Sequence, residues 1–299
     1  VLRLLHFSDL HLGAPVGELP ASDLAPKRVL GAANLWLRRE RRFRDAPEKI
    51  AALASLAARE QVDAVLCTGD YTALGSVAEL AAARRAIAPL TARPGGFVTV
   101  PGNHDVYVET GTLERRFEQA FAGLLESDVP ELAVDGSWPL VRLFGDDVAI
   151  VCVNSARPNP QLWRSSGQVP TAQLAALRRA LDDARLRDRF VLVATHYAPL
   201  RADGRADAAW HGLVNGEALL AAIGPRPRTA LVHGHLHRAF ALAATAQRPP
   251  IFCAGSATDT HGGSCWLYEL ERTSLRAIPA TWRAGQYVLD RAAPTLLGA

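Results

Sequence analysis

The sequence predicts an α/β domain, and three observations carry that expectation. Apolar runs of strand length alternate with amphipathic stretches of helix length. Many of the strand-like runs are apolar on both sides, as strands are when their sheet is covered by helices or by another sheet. The 299 residues are 49% hydrophobic and 21% charged, enough to bury a sizeable core and too apolar for a disordered chain. No internal repeat and no low-complexity linker divides residues 1–299, so the chain reads as one domain whose portion 240–299 turns mostly β.

Strands are expected at residues 2–7, 62–68, 97–100, 148–153, 190–195 and 229–233, then at 250–253, 265–270 and 275–279. Between them lie helical patterns. Residues 46–60 carry Ile50, Leu53, Leu56 and Ala57 on one face. The stretch 76–88 opens with Ser76 and Glu79 at the spacing of a capping box. Residues 112–125 are amphipathic, 171–187 follow a Pro-Thr start, and 215–223 have Asn215 as an N-cap candidate.

Composition excludes some classes. No apolar run approaches the roughly 18 residues of a membrane span. The net charge of +3 is too small to argue for nucleic acid by itself, so no obligatory nucleic-acid partner is expected. Cys67, Cys152, Cys253 and Cys265 have no CxxC spacing and sit in or beside strand-like runs. They read as buried reduced thiols, which points to the cytoplasm. No secretory leader is legible at Val1. The segment from Arg28 to Arg44 joins Val29, Leu30, Ala33, Trp36 and Leu37 to Arg38, Arg39, Arg41, Arg42 and Arg44. It reads either as an insertion helix with solvated arginines or as a basic amphipathic element for peripheral contact with an anionic membrane, at its inner face.

The chemistry lies at the strand ends. Six strands run directly into ligand-type residues: Ser8-Asp9-Leu10-His11, Gly69-Asp70, Gly102-Asn103-His104-Asp105, Asn154-Ser155, Thr195-His196 and Gly234-His235-Leu236-His237. In open α/β sheets the loops beyond the carboxyl ends of strands converge on one crevice. Asp9 and His11, like His235 and His237, are two residues apart, so on an extended segment each pair points the same way. Carboxylates and imidazoles gathered in a sheltered crevice need a compensating positive charge, which a metal supplies. An N/O donor set without thiolate favours Mn, Fe, Zn or Co, and is too rich in histidine for Mg or Ca. Seven candidate ligands are more than one ion needs, so two ions are expected.

These ordered boxes resemble the calcineurin-like metallophosphoesterases: Asp9-x-His11, Gly69-Asp70, Gly102-Asn103-His104-Asp105, His196 and Gly234-His235-x-His237, all in family order. The resemblance implies a four-layer αββα sandwich of two mixed sheets flanked by helices, with the metal site at the carboxyl ends of the strands. It implies that Asp9, His11 and His237 hold one metal, that Asp70 bridges, and that Asn103, His196 and His235 complete the other. It makes His104 the acid that protonates the leaving oxygen or grips the phosphoryl group, with Asp105 orienting its ring and Asn103 also meeting substrate. It implies a hydrolase for a small phosphoester, in which two divalent or trivalent metal ions make an attacking water more acidic.

The runs from Thr68 to Ser76 and from Thr195 to Leu200 look like the bacterial cyclic-nucleotide-phosphodiesterase (class III) members. A nucleotide-lipid pyrophosphatase, a broad phosphomonoesterase, a DNA repair nuclease and a metal-free scaffold stay open as alternatives. Arg238 could contact phosphate or form a surface ion pair. His211 and His261 could reach substrate from the rim or stand in solvated loops. His6 and His233 read as packed core histidines, and Asn154 as a strand-end cap. The apolar C-terminal part around Trp282 and Tyr287 either caps the core or forms a homo-oligomer contact.

Overall fold

A computed structural model describes residues 1–13, 43–159, 161 and 163–298. The basic segment therefore lies outside the described residues as far as residue 42. The described strands are β1 (Leu2–Phe7), β2 (Ala64–Cys67), β3 (Phe97–Thr99), β4 (Leu140–Phe144), β5 (Val148–Cys152), β6 (Phe190–Ala194) and β7 (Thr229–His233). They continue with β8 (Ala239–Leu242), β9 (Ile251–Ala254), β10 (Ser264–Leu270), β11 (Ser274–Arg283), β12 (Gln286–Leu289) and β13 (Thr295–Gly298). The longer helices are α1 (Ala46–Arg59), α2 (Val77–Ala86), α3 (Thr171–Asp182) and α4 (Gly216–Ile223).

Two mixed sheets result. One runs β12-β11-β10-β1-β2-β3, with β13 pairing β11; the other runs β4-β5-β6-β7-β9-β8. In the first sheet β1, β2 and β3 are parallel neighbours, and in the second β5, β6, β7 and β9 are. Each parallel set thus releases its ligand-type residues at the same edge.

The second sheet shows how side-chain alternation makes the layers. Ile150, Leu192, Val232 and Phe252 point into one cluster shared with Leu5, Val65 and Leu267 of the first sheet. Their neighbours Val151, Val193 and Leu231 point the other way, against Leu174 and Leu177 of α3 and Leu219 and Ile223 of α4. Ile50, Leu53 and Leu56 of α1 and Leu80 of α2 pack on the first sheet. This is the expected αββα sandwich.

Local chemistry explains the helix ends. Ser76 caps α2 by accepting from Glu79 N–H at 3.1 Å, while Glu79 Oε2 accepts from Ser76 N–H at 3.0 Å, the full capping box. Two expected helices are broken. Residues 112–125 divide into Glu109–Leu113, Arg116–Ala120 and a 3₁₀ turn at Ala122–Leu124, because Arg115 takes a left-handed conformation, φ +49°. Residues 171–187 break at Asp183, whose extended backbone ends α3 and whose carboxylate caps the short helix Ala184–Arg187 through Arg185 N–H. Tyr287 is buried, and its ring lies 5.3 Å from that of Trp282, which also receives Lys49 Nζ of α1 at 5.2 Å. This part therefore caps the core over α1. All four cysteines are buried and free. No helix among the described residues is long and apolar enough to cross a membrane.

Candidate metal centre

The strand extensions lock together first. Asp9 N–H donates to the Gly69 carbonyl at 2.9 Å and His11 N–H to the Asp70 carbonyl at 3.0 Å, so the pairing of β1 with β2 continues past the sheet into the ligand loops. Ser256 Oγ and Thr258 Oγ1 then donate to the Asp9 carbonyl at 2.8 and 3.2 Å from the far side.

Asp9 and His11 do converge, but not on an extended segment. Asp9 (φ +58°), His11 (+47°), Asp70 (+57°), His235 (+71°) and His237 (+52°) all lie in the left-handed region, five of the nine described non-glycine residues that do. That conformation costs about 1–2 kcal/mol per residue, and its concentration here marks a site where side-chain placement outweighs backbone ease. Two glycines supply room. A Cβ at Gly102 would collide with Asp70 Oδ1, and one at Gly234 with Ser8 Oγ.

Asp9, His11, Asp70 and His237 each bring one ligand atom within 4.8 Å of all the others. His11 Nε2 and His237 Nε2 face each other at 2.9 Å. Asp9 Oδ1 is buried without a hydrogen-bond partner, with these nitrogens 3.7 and 3.3 Å away. Burial pushes the Asp9 carboxyl up, but His11 and His237 beside it hold it well below the usual carboxylate range.

A second cluster forms around Asn103. Its Oδ1 lies 3.1 Å from His196 Nε2 and 3.2 Å from His235 Nδ1. The opposite nitrogens meet backbone carbonyls: His196 Nδ1 donates to Thr68 at 2.7 Å, and His235 Nε2 to His211 at 3.2 Å. Burial lowers the pKa of both rings, so each keeps only the proton given to its carbonyl. Three lone-pair atoms then face one another, an arrangement that suits a cation between them. Asp70 joins the clusters: its Oδ2 is 3.9 Å from His11 Nε2 and 3.5 Å from His196 Nε2, while its Oδ1 accepts from His104 N–H at 2.8 Å. The donors therefore fit two metal ions sharing one carboxylate.

His104 stands beside the first cluster, its ring edge-on to His11 at 4.9 Å and stacked on Tyr107 at 5.6 Å. Its Nδ1 donates to the Ala73 carbonyl at 2.7 Å, which leaves Nε2 as the atom for proton exchange. Asp105 does not orient this ring. Its carboxylate accepts from the N–H groups of Asp70, Tyr71, Thr72 and Gly102 at 2.9–3.1 Å, and from Thr72 Oγ1. Burial pushes its pKa up to about 7 against the pull of these donors, and the four backbone bonds make it a positioning residue for the turn that carries Asp70.

The rim candidates separate. His211 is drawn to the second cluster, its ring 4.5 Å from that of His235 and its Nδ1 bonded to Asp207 Oδ2 at 2.7 Å. Arg238 is exposed in the turn before β8, with no ion pair among the described residues. His261 is exposed and no contact of its ring joins it to either cluster. His6 is bonded to Tyr268 Oη and Thr68 Oγ1 at 2.9 and 3.0 Å, and burial lowers its pKa to about 3. His233 turns its Nδ1 to the Gly234 carbonyl and its ring toward Phe240. Asn154 Oδ1 accepts from Ala156 N–H at 2.9 Å, the local cap expected of it. Phe43 had no signal in the sequence. Its ring packs 4.6 Å from His11 and 6.0 Å from His237, walling one side of the first cluster.

A fold of two sandwiched mixed sheets, with paired Asp–His clusters at the strand ends around one shared carboxylate, defines a metal-dependent phosphoesterase. The chain belongs to the calcineurin-like phosphoesterase family, whose model matches residues 2–239. It is 32% identical over 244 residues to the 3',5'-cyclic adenosine monophosphate phosphodiesterase CpdA of Pseudomonas aeruginosa, covering 79% of this chain and 70% of that protein. Its fold is similar to a dimetal phosphatase from Danio rerio, with TM-score 0.64, 15% identity, and 100% and 99% of the two chains covered. It is also similar to a purple acid phosphatase from yellow lupin (Lupinus luteus), with TM-score 0.60, 12% identity, and 99% of this chain and 53% of that one covered.

Proposed function

We propose that the chain is a two-metal phosphodiesterase for small nucleotide-type phosphodiesters, with a cyclic nucleotide as the foremost substrate. The observation that carries this reading is the position of Asp70 Oδ2 between His11 Nε2 and His196 Nε2, at 3.9 and 3.5 Å. In it Asp9, His11, Asp70 and His237 hold one ion, and Asp70, Asn103, His196 and His235 the other. The donor types suit Mn, Fe, Zn or Co. When bound, the ions supply Lewis-acid charge and a water acidic enough to attack phosphorus near neutral pH.

The chain's own residues supply the rest. Ala73 holds the His104 Nδ1–H, so that Nε2 is the site that takes up a proton to form the imidazolium and then gives that proton to the departing oxygen, leaving the neutral ring. Asp105 and the Thr68 and His211 carbonyls hold Asp70, His196 and His235 in place. Preference for a diester is supported by the similarity to CpdA. The four buried free cysteines support a cytoplasmic enzyme.

The test is turnover by the manganese-loaded protein of adenosine 3',5'-cyclic monophosphate, bis(p-nitrophenyl) phosphate, p-nitrophenyl phosphate, a nucleotide-lipid diphosphate and single-stranded DNA. The expected order puts the two diesters first, with kcat/KM at least about tenfold above the others, a difference of about 1.4 kcal/mol in barrier. A monoester or the lipid diphosphate at the head of that order would overturn the reading.

A further inference from the structure

A line of aromatic rings leads out of the second cluster. The His196 and His235 centroids are 5.3 Å apart, His235 and His211 4.5 Å, and His211 and Trp210 5.7 Å. The two inner rings are buried, His211 is half-buried, and Trp210 is 58% exposed.

The loop presenting Trp210 is held from several sides. The His211 and Gly212 N–H groups donate to the Ala208 carbonyl at 2.8 and 2.7 Å, and His211 Nδ1 is bonded to Asp207. The Trp210 carbonyl accepts from Ser165 N–H at 2.8 Å, and the His211 carbonyl accepts from His235. A large apolar ring left in water on a tethered loop, one residue from a group bonded to the candidate ligand His235, has the form of a pre-organised stacking platform.

The adjoining loop, bonded to the Trp210 loop through Ser165, carries charge. Arg157 Nη2 and Arg164 Nε both donate to Ser166 Oγ at 2.9 Å, and among the described residues neither has a carboxylate partner. A flat apolar face on a loop bonded through Ser165 N–H to the segment that carries these two guanidiniums favours a ligand that is both aromatic and anionic. Two ring-to-ring steps, of 4.5 and 5.7 Å, lead from the candidate ligand His235 to Trp210, a separation that a single nucleotide can bridge.

We propose that Trp210 stacks on the base of a nucleoside-bearing phosphodiester, so that base recognition is built into the 207–211 loop while the metal centre handles the phosphate. This rests on the phosphodiesterase reading for where the phosphate sits. Two measurements test it. The first is the ratio of kcat/KM for adenosine 3',5'-cyclic monophosphate to that for the base-free methyl riboside 3',5'-cyclic phosphate. It is expected to fall about tenfold in Trp210→Ala, the low end of what one stacked base contributes, and to recover in Trp210→Phe, which keeps an aromatic face. A ratio unchanged in Trp210→Ala would overturn the proposal, whatever happened to the separate rates. The second is quenching of tryptophan fluorescence on titration with adenosine 5'-monophosphate, expected to weaken in Trp210→Ala. If wild type hydrolysed neither cyclic substrate, the phosphodiesterase reading would fail while this titration still decided the stacking: quenching identical in Trp210→Ala would overturn it.

Discussion

Asp70→Ala is expected to lower kcat/KM for a phosphodiester by about a thousandfold or more, since it removes the one carboxylate shared by both clusters and with it several kilocalories of transition-state stabilisation. Asp70 Oδ2 lies within 4 Å of both His11 Nε2 and His196 Nε2, and its Oδ1 also holds the His104 backbone. One substitution therefore loosens both candidate metals and the turn that presents the acid. Metal analysis of the variant should find less than the wild-type content. Asp70→Asn keeps the shape and the bond to His104 N–H but loses the charge, so it should fail like the alanine variant. If Asp70→Asn kept near wild-type turnover, the shared-carboxylate geometry would not be what drives the reaction.

The second large effect is expected at His104, and its size depends on the leaving group. His104→Ala should lower kcat by about 10²–10⁴ for a substrate that expels a ribose alkoxide, the range a positioned general acid supplies. The loss should be far smaller when the leaving group is p-nitrophenolate, which departs without a proton. Tyr107 stacked on the ring and Ala73 bonded to Nδ1 hold the imidazole, and the candidate ligands are untouched, so metal content should stay at the wild-type level. Equal losses with both leaving groups would mean that His104 grips the phosphoryl oxygens rather than delivering a proton. Near wild-type turnover of the alkoxide substrate in a metal-verified sample would remove both roles.

Much of this architecture is legible in the sequence because its central strands are apolar on both faces. The strands that go unannounced, β4, β8, β12 and β13, lie at sheet edges or off the main path. There one side meets water and the two-sided apolar run is absent: all four residues of β8 are only half-buried. The break at Arg115 is invisible for a different reason, since this residue takes a left-handed backbone and no glycine announces it.

At the site, residue types and their order identify the candidate ligands, but spacing misleads about the backbone. An i, i+2 pair suggests an extended segment, and the structure instead turns Asp9, His11, His235 and His237 left-handed. The direction of the Asp105 carboxylate is equally hidden, because the N–H groups it accepts from come mostly from the loop after β2. Phe43 and Trp210 acquire meaning only when distant loops meet: one lies against His11, and the other follows His211 outward from His235.

The most direct test of the paired centre is manganese reconstitution of protein purified without chelator, read by metal analysis together with electron paramagnetic resonance. The expected result is two ions per chain with the exchange-coupled signal of neighbouring manganese ions bridged through Asp70. One ion per chain, or two with the spectrum of isolated manganese, would contradict it.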